Sequence, residues 1–244
     1  MESKDAITEK STWSTYWESY NPNKVLFKNQ FTTLFSKVKN GDNKLEFLEI
    51  GGFPGTFSIY FKKYKQYNIT LLDYFISHDV INKLLKINNL NYNDLEIIES
   101  DFFNYKTDKK YDLVFSSGFI EHFEDTKNVL IKHNNLLKEK GELLITLPNL
   151  KGLNGWVQKR FDLKNYTIHN VKCMDIELLK SICVELNLKD LEVYYYGKPM
   201  VWLESTANVS PITRTCIRLL SFIIKLFPIQ GKFLSPYIVL RGTR

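Results

Sequence analysis

Carboxylate side chains lie at the ends of three short apolar segments, where they could hold a nucleoside. Asp73 comes 24 residues after Glu49, and a carboxylate at such a position can accept hydrogen bonds from both hydroxyls of a ribose. Asp101 could accept a hydrogen bond from an adenine amino group, with Phe102 stacking nearby. The turn after Glu49 is rich in glycine, which allows a backbone to approach a ligand closely. Its glycines are Gly51, Gly52 and Gly55.

Histidine is the side chain best suited to accept a proton near neutral pH, and the chain has 4 of them. His122 follows the apolar segment Tyr111–Phe115, and His169 lies in a polar stretch further along. An acceptor hydroxyl or carboxyl group would suit such a base, so we expect His169 to be the general base and His122 the second candidate. Alternatively, His122 fixes its loop by hydrogen bonding. His78 and His133 fall in predicted helices, and we expect both at the surface.

Strands and helices alternate along the middle of the chain, which predicts a parallel sheet. The strands are continuous apolar runs, as expected where helices cover both faces. In an open parallel sheet the ligand lies beyond the carboxyl ends of the strands, where the side chains described above fall. The predicted strands are 45–50, 69–72, 95–98, 111–115, 142–147, 188–196 and 237–240, and the main helices are 56–64, 80–87, 129–137 and 176–186.

Four motifs at these strand ends together resemble the class I S-adenosylmethionine-dependent methyltransferases, over roughly residues 44–196. The motifs are LEIGGFPG at 48–55, LDY at 72–74, SDF at 100–102 and YDLVFSSGFIEH at 111–122. The resemblance implies an α/β fold with a Rossmann-like, mostly parallel seven-stranded sheet whose last strand is antiparallel. It also implies S-adenosylmethionine as cofactor and S-adenosylhomocysteine as product. A dinucleotide site is the competing interpretation, but it needs G-x-G-x-x-G, which this turn lacks.

The resemblance also implies a role for each cofactor residue. Glu49 and Gly51 would shape the methionine end of the pocket. Asp73 would hold the ribose and Asp101 the adenine. In the family's acidic-x-Gly-x-Gly-x-Gly pattern, Phe53 stands at the middle glycine. The complete predicted cofactor set is Glu49, Gly51, Gly52, Gly55, Asp73, Tyr74, Asp101, Phe102, Ser117 and Gly118.

The segment 148–170 follows the fifth strand and is rich in polar and aromatic side chains. It is similar to segments of bacterial methyltransferases from surface-polysaccharide gene clusters, which implies O-methylation of a sugar or glycan precursor in polysaccharide biosynthesis. One alternative is methylation of a small aromatic or quinone-like lipid acceptor. Another, suggested by Phe53, is a protein that binds S-adenosylmethionine without turnover. A polar lid exterior is the structural alternative for the side chains of this segment. The predicted acceptor-binding residues are Asn154, Trp156, Arg160 and Asn170.

Two parts of the chain lie outside the recognised motifs. Residues 1–43 are predicted to form an N-terminal helical cap, and residues 44–244 the methyltransferase domain with a helical insert at 197–236. A helical pattern also covers 25–38. The aromatic residues that share one predicted helix face in the cap are Trp13, Tyr16, Trp17 and Tyr20.

Composition limits the partners and the compartment. The net charge of +6, from 33 Lys and Arg against 27 Asp and Glu, is modest, so we predict no nucleic-acid partner. Only 3 Cys are present, without a Cys/His cluster, so we predict no metal site. The start of the chain has no apolar signal segment, and we expect a cytoplasmic protein.

A basic and apolar helix is predicted at residues 211–228. Its cations Arg214, Arg218 and Lys225 form a narrow stripe beside a wide apolar arc. This pattern fits peripheral contact with the inner face of a membrane. It also fits a helix packed into the domain or against a dimer partner, and the oligomeric state stays open.

Overall fold

The computed structural model describes residues 6–7, 17, 20–204, 206–227 and 229–244. Its strands are β1 (Glu46–Ile50), β2 (Asn68–Asp73), β3 (Leu95–Glu99), β4 (Tyr111–Ser117), β5 (Leu137–Pro148), β6 (Lys189–Tyr196) and β7 (Tyr237–Thr243). They form one sheet in the order β3–β2–β1–β4–β5–β7–β6. Strands β1 to β5 are parallel, and β7 is antiparallel to both of its neighbours. The predicted fold class is confirmed.

The described helices lie mostly in the connections between strands. They are α1 (Thr32–Ser36), α2 (Thr56–Tyr60), α3 (His78–Ile87), α4 (Thr126–Asn135), α5 (Leu153–Phe161), α6 (Leu163–Thr167), α7 (Ile176–Glu185) and α8 (Pro211–Ile224). Asp125, Asp175 and Ser210 begin α4, α7 and α8 by accepting backbone N–H groups of the first turn. None of the described helices is long and apolar enough to cross a membrane.

The sheet has an apolar core on each face, which explains the continuous apolar strands. On one face, Leu48 and Ile50 of β1 pack in a cluster with α4 and α7. On the other, Phe47 belongs to a largely aromatic cluster with α1, α2 and α3. There its ring stacks on Phe61, with the centroids 4.4 Å apart. Burial on both faces keeps the strand ends in fixed positions.

The long connection between β6 and β7 begins and ends at the same edge of the sheet as the cofactor motifs. Because β7 is antiparallel to both β5 and β6, β6 runs in the direction of β1 to β5. Residue 197 therefore leaves the sheet at the carboxyl edge, and residue 236 returns to it there. Within this connection α8 packs on α5 through a small separate cluster of Val157, Val201, Ile217 and Ile224.

The N-terminal region differs from the sequence prediction. The pattern over 25–38 predicted a helix, but only Thr32–Ser36 is helical and residues 20–31 follow an irregular path. Val25, Phe31 and Phe35 are nevertheless buried, so their spacing reflects packing on the aromatic face rather than a helix. Trp13 and Tyr16 lie outside the described residues. The division at residues 43 and 44 stays a prediction.

Element boundaries near β5 were also predicted imperfectly. The helix predicted at 129–137 ends at Asn135, and β5 begins at Leu137 rather than at Glu142. Leu137 pairs with Tyr111, and the register then shifts before Leu113 pairs with Glu142. The extra residues form an irregularity in the strand, which sequence periodicity does not reveal.

Candidate active site

A cavity of about 930 Å³ opens at the carboxyl edge of the sheet. Its floor is formed by the residues that follow β1, β2, β3 and β4. Nine of the ten predicted cofactor residues line it: Glu49, Gly51, Gly52, Asp73, Tyr74, Asp101, Phe102, Ser117 and Gly118. The tenth, Gly55, takes a left-handed conformation with φ 96° and begins α2. The motifs thus meet in one place.

The turn after β1 is shaped by glycine at its first position and by an aromatic residue at its centre. Gly51 has φ 65°, and a Cβ there would overlap the Phe119 ring. Phe53 is buried, with its ring packed edge-on against Trp17 and Phe75 at centroid distances of 5.3 and 5.4 Å. Its backbone N–H donates to Asp73 Oδ2 at 2.8 Å. The Phe53 side chain, which stands where the family has its middle glycine, is therefore accommodated by packing against other aromatic rings.

Glu49 is fixed beneath this turn. Its Oε2 accepts hydrogen bonds from the backbone N–H and the hydroxyl of Ser58 in α2. Burial raises the pKa of Glu49 to about 8, although both hydrogen bonds favour the carboxylate. A cationic group bound beside it, such as the ammonium of a methionine moiety, would also favour the carboxylate. The chemistry of this position therefore fits the predicted cofactor.

The two aspartates at the next strand ends are oriented by backbone N–H groups. Asp73 Oδ1 accepts from Phe75 N at 2.9 Å and Oδ2 accepts from Phe53 N. The backbone N–H of Tyr74 also donates to this carboxylate. Three backbone donors leave about one of the four acceptor positions of the carboxylate for a ribose hydroxyl. Burial raises the pKa of Asp73 to about 6. Asp101 Oδ1 accepts from the N–H groups of Phe103 and Asn104 at 2.8 and 3.0 Å, which fixes the turn after β3.

The two predicted catalytic histidines lie together and line the same cavity. The rings of His122 and His169 are 4.9 Å apart. His122 Nδ1 is 3.2 Å from Ile168 O, and His169 Nδ1 is 2.6 Å from Asn165 O. A carbonyl can only accept, so each Nδ1 carries the proton and each Nε2 has a lone pair. Burial lowers the pKa of both rings, that of His122 to about 3, which keeps them neutral.

Glu121 makes this pair a cluster of three. One ligand atom from each of Glu121, His122 and His169 lies within 4.8 Å of the others, so these side chains could hold a metal ion. Glu121 Oε2 is buried without a hydrogen-bond partner among the described residues, and burial raises the pKa of its carboxyl to about 8. The sequence argument against a metal site used the Cys count, which does not bear on this cluster. Its candidate ligands are the adjacent Glu121 and His122 together with the distant His169.

The acceptor end of the cavity, as we name the part around Trp202, is lined by residues outside the predicted acceptor-binding set. Trp202 closes this end, and its indole N–H donates to Glu204 Oε1 at 3.2 Å. Only the direction of β6 could have indicated that this connection lies over the strand ends. The additional polar lining residues are Lys164, Asn165, Glu204, Thr206 and Asn208.

The four predicted acceptor-binding residues do not line the cavity. Asn154 is buried behind it, where Oδ1 accepts from the Trp202 backbone N–H at 3.1 Å. Asn170 donates to the carbonyls of Phe123 and Glu124 and so holds the loop that follows His122. Trp156 and Arg160 lie on the outer face of α5, with Trp156 59% exposed. The first two act as supports for the walls.

The predicted exposure of one histidine is wrong. His133 was expected to be exposed, but it is fully buried. Its Nδ1 donates to Val129 O at 2.8 Å, and its Nε2 lies 3.2 Å from the Ser116 hydroxyl. Its ring packs on Phe102 with the centroids 4.9 Å apart, so it supports one of the predicted cofactor residues. A helical pattern with mixed polarity gave no sign of this burial.

Comparison with known proteins agrees with this geometry. The family model described as a methyltransferase domain matches residues 23–193. The chain belongs to the methyltransferase domain family. At the level of the family, this confirms the predicted enzyme class and its cofactor, S-adenosylmethionine.

The similar proteins described next share only a low sequence identity with this chain or match only part of it. The chain is 32% identical over 110 residues to malonyl-[acyl-carrier protein] O-methyltransferase 2 of Ilyobacter polytropus, a match that covers 45% of this chain and 41% of that relative. A SAM-dependent methyltransferase from Archaeoglobus fulgidus is 19% identical with a TM-score of 0.58, over 95% of this chain and 99% of that one.

A second solved structure is phosphoethanolamine N-methyltransferase 2 of Haemonchus contortus in complex with S-adenosyl-L-methionine. It is 15% identical with a TM-score of 0.60, over 89% of this chain and 55% of that chain. Identities this low show a shared fold and leave the acceptor of this chain unassigned.

Proposed function

We propose that this protein transfers the methyl group of S-adenosylmethionine to an oxygen atom of a sugar or glycan precursor. One observation carries the proposal. A single cavity joins the carboxylate and glycine positions after β1 to β4 with the neutral histidines His122 and His169. Its volume of about 930 Å³ is at the upper end of small-molecule sites, typically about 300–1,000 Å³, and so suits a cofactor together with an acceptor.

The side chains divide the task between binding and proton transfer. Glu49, Asp73 and Asp101 would hold the cofactor, which supplies an activated, electrophilic methyl group when bound. His169 Nε2 would accept the acceptor's hydroxyl proton, because its Nδ1–H is held by Asn165 O and burial keeps the ring neutral. His122 would orient His169 or serve as the second base. Holding both reactants in one closed site supplies the remaining advantage through proximity.

The acceptor end of the cavity favours a polyhydroxylated acceptor. Sugars are bound by hydrogen-bonding side chains combined with a flat aromatic surface, and Trp202 provides such a surface against Tyr237, with the ring centroids 6.2 Å apart. Amide, hydroxyl and carboxylate groups surround it and can pair with several hydroxyls. These groups belong to Asn165, Glu204, Thr206 and Asn208.

A carboxyl acceptor on a carrier protein is the second candidate. The curated relative in Ilyobacter polytropus is named for O-methylation of malonyl-[acyl-carrier protein], and its match covers 110 residues. Lys164 lines the cavity and could pair with such a carboxylate. A carboxylate needs no base, so this reaction would not depend on His169.

The test combines calorimetry with an acceptor screen. We expect S-adenosylmethionine and S-adenosylhomocysteine to bind, and S-adenosylhomocysteine to be released with nucleotide sugars or lipid-linked glycans. Malonyl-acyl carrier protein, a catechol and a prenylated quinol serve as competing acceptors. Turnover confined to one competitor would replace the sugar proposal. Binding without turnover on every acceptor would favour a non-catalytic protein, and absence of cofactor binding would refute the proposal.

A further inference from the structure

Helix α8 exposes an apolar stripe to solvent. Its opposite face, with Ile217 and Ile224, packs on the small cluster beside α5. The stripe continues beyond the helix into the loop that leads back to β7. Eight large apolar side chains are each more than half exposed: Ile212, Leu219, Phe222, Ile223, Leu226, Phe227, Ile229 and Phe233. Exposed apolar residues of this density mark a surface that meets another apolar phase.

Cations flank this stripe and line a second cavity of about 370 Å³ between α8 and residues 201–203. Arg214, Arg218 and Lys225 are among its lining residues, and no acidic residue is. Arg214 donates to the carbonyls of Glu204 and Ala207 at 3.0 and 2.7 Å, which fixes its guanidinium at the cavity wall. Guanidinium and ammonium groups converging on a small cavity suit a phosphate group.

The charge distribution of the chain points to an anionic partner for this region. Residues 205–244 contain 6 of the 33 Lys and Arg and none of the 27 Asp and Glu. The first 204 residues therefore carry 27 charges of each sign and are neutral, and the entire net charge of +6 belongs to the C-terminal segment. An anionic partner is attracted to such a segment.

We propose that α8 and the following loop bind the surface of an anionic phospholipid bilayer, with a lipid phosphate in the α8 cavity. The apolar stripe would enter the boundary between headgroups and acyl chains, where the cations meet phosphates. A nucleic acid would match the cations but would leave the stripe in water. The proposal goes beyond methyl transfer. Trp202 lines both cavities, so the surface lies close to the acceptor end of the methyl-transfer cavity.

Vesicle flotation of the full chain tests the proposal. Vesicles of phosphatidylcholine are compared with vesicles that contain phosphatidylglycerol as well, and we expect binding to the second kind. Arg218→Gln with Lys225→Gln should weaken binding about 30-fold, because each cation near an anionic surface contributes about 1 kcal/mol. Phe222→Gln with Phe227→Gln should weaken it at least tenfold, by removing buried apolar area. Both pairs are largely exposed in the free protein, so the fold should persist.

Matched controls distinguish binding through this surface from non-specific adsorption to vesicles and from the effects of unfolding. Val184→Gln removes an apolar side chain that is 64% exposed on α7, and Lys106→Glu reverses an exposed cation far along the chain. Neither should change vesicle binding, and circular dichroism should show every variant folded. Absence of binding to anionic vesicles, or binding that both variant pairs leave intact, would overturn the proposal. Affinity for a DNA duplex or for inorganic phosphate would also overturn it, if that affinity equals the affinity for anionic vesicles and does not change in the Phe222→Gln, Phe227→Gln variant.

Discussion

The two ends of the methyl-transfer cavity are built in different ways. At the cofactor end, Glu49, Asp73 and Asp101 each lie in a strand or within two residues of its end. At the acceptor end, His169 and Trp202 come from long connections whose paths depend on α5, α6 and the connection between β6 and β7. A strand end fixes a side chain through the sheet itself, whereas a connection is fixed only by contacts between distant segments. Each residue of the cofactor end is therefore positioned by its own strand, whereas residues of the acceptor end are positioned by contacts with segments distant in sequence.

The largest expected effect is on proton transfer at the acceptor end. His169→Ala should lower kcat about 10²–10⁴-fold with a hydroxyl acceptor, the usual contribution of a positioned base. Affinity for S-adenosylmethionine, measured by calorimetry, should be unchanged because the predicted cofactor contacts belong to the strand ends and His169 lies in the connection after β5. His78→Ala, at an exposed histidine of α3, is the matched control.

Two outcomes would change the role of His169. An unaltered kcat would remove it from proton transfer. Loss of wild-type turnover on dialysis against a chelator, restored by a divalent ion, would indicate that Glu121, His122 and His169 hold a metal. The first outcome would leave the cavity without a base at that position, and the second would replace the base by metal chemistry.

The next largest effect is on cofactor binding. Asp73→Ala should weaken the affinity for S-adenosylmethionine about 100-fold, because hydrogen bonds to a charged group contribute about 1.5–3 kcal/mol each. Asp108→Ala changes an exposed carboxylate in the loop before β4 and should leave the affinity unaltered. Calorimetry measures both. Retained affinity in Asp73→Ala would show that the cofactor end is not organised by its strand ends.

The sequence was sufficient to predict the sheet and to bring the strand-end residues into one cavity, but it did not predict the walls formed by the connections. Nine predicted cofactor residues line the cavity because position after a parallel strand already defines their location. Asn154 and Asn170 were expected in the cavity, yet their side chains bond to backbone groups of neighbouring segments. A polar side chain on a connection can face a ligand or a carbonyl, and sequence alone does not distinguish the two. His133 shows the same ambiguity for burial.

A smaller effect should appear as a pH dependence confined to the cofactor end. Burial raises the pKa of Asp73 to about 6, and ribose binding needs the carboxylate. The contribution of Asp73 to the S-adenosylmethionine affinity should therefore be constant above about pH 7 and fall as the pH drops through 6, about tenfold by pH 5. Glu49, with a pKa of about 8, is protonated in the free protein over this range, and its ionisation beside the bound ammonium would add a second slope that extends to about pH 8. Calorimetry between pH 5 and 7 checks this.

The Asp73→Asn variant separates that titration from other pH effects. Its side chain cannot ionise, so its weaker affinity should lose the fall through pH 6 and keep only the slope that Glu49 contributes. A slope equal to that of the wild type would assign the titration to a different group.

The smallest expected effect is at the outer face of α5. Trp156→Ala and Arg160→Ala should each leave kcat and the KM for the acceptor within about twofold, since surface substitutions away from a site change energies by about 0.5 kcal/mol or less. Trp156 packs edge-on against Phe161 with the centroids 6.1 Å apart, and the Arg160 guanidinium lies 5.4 Å from the centre of the same ring. These contacts stabilise the outside of the helix and do not reach the cavity. A tenfold rise in KM with either variant would mean that α5 turns inward when the acceptor binds, and the acceptor end would then be formed by the ligand as well as by the fold.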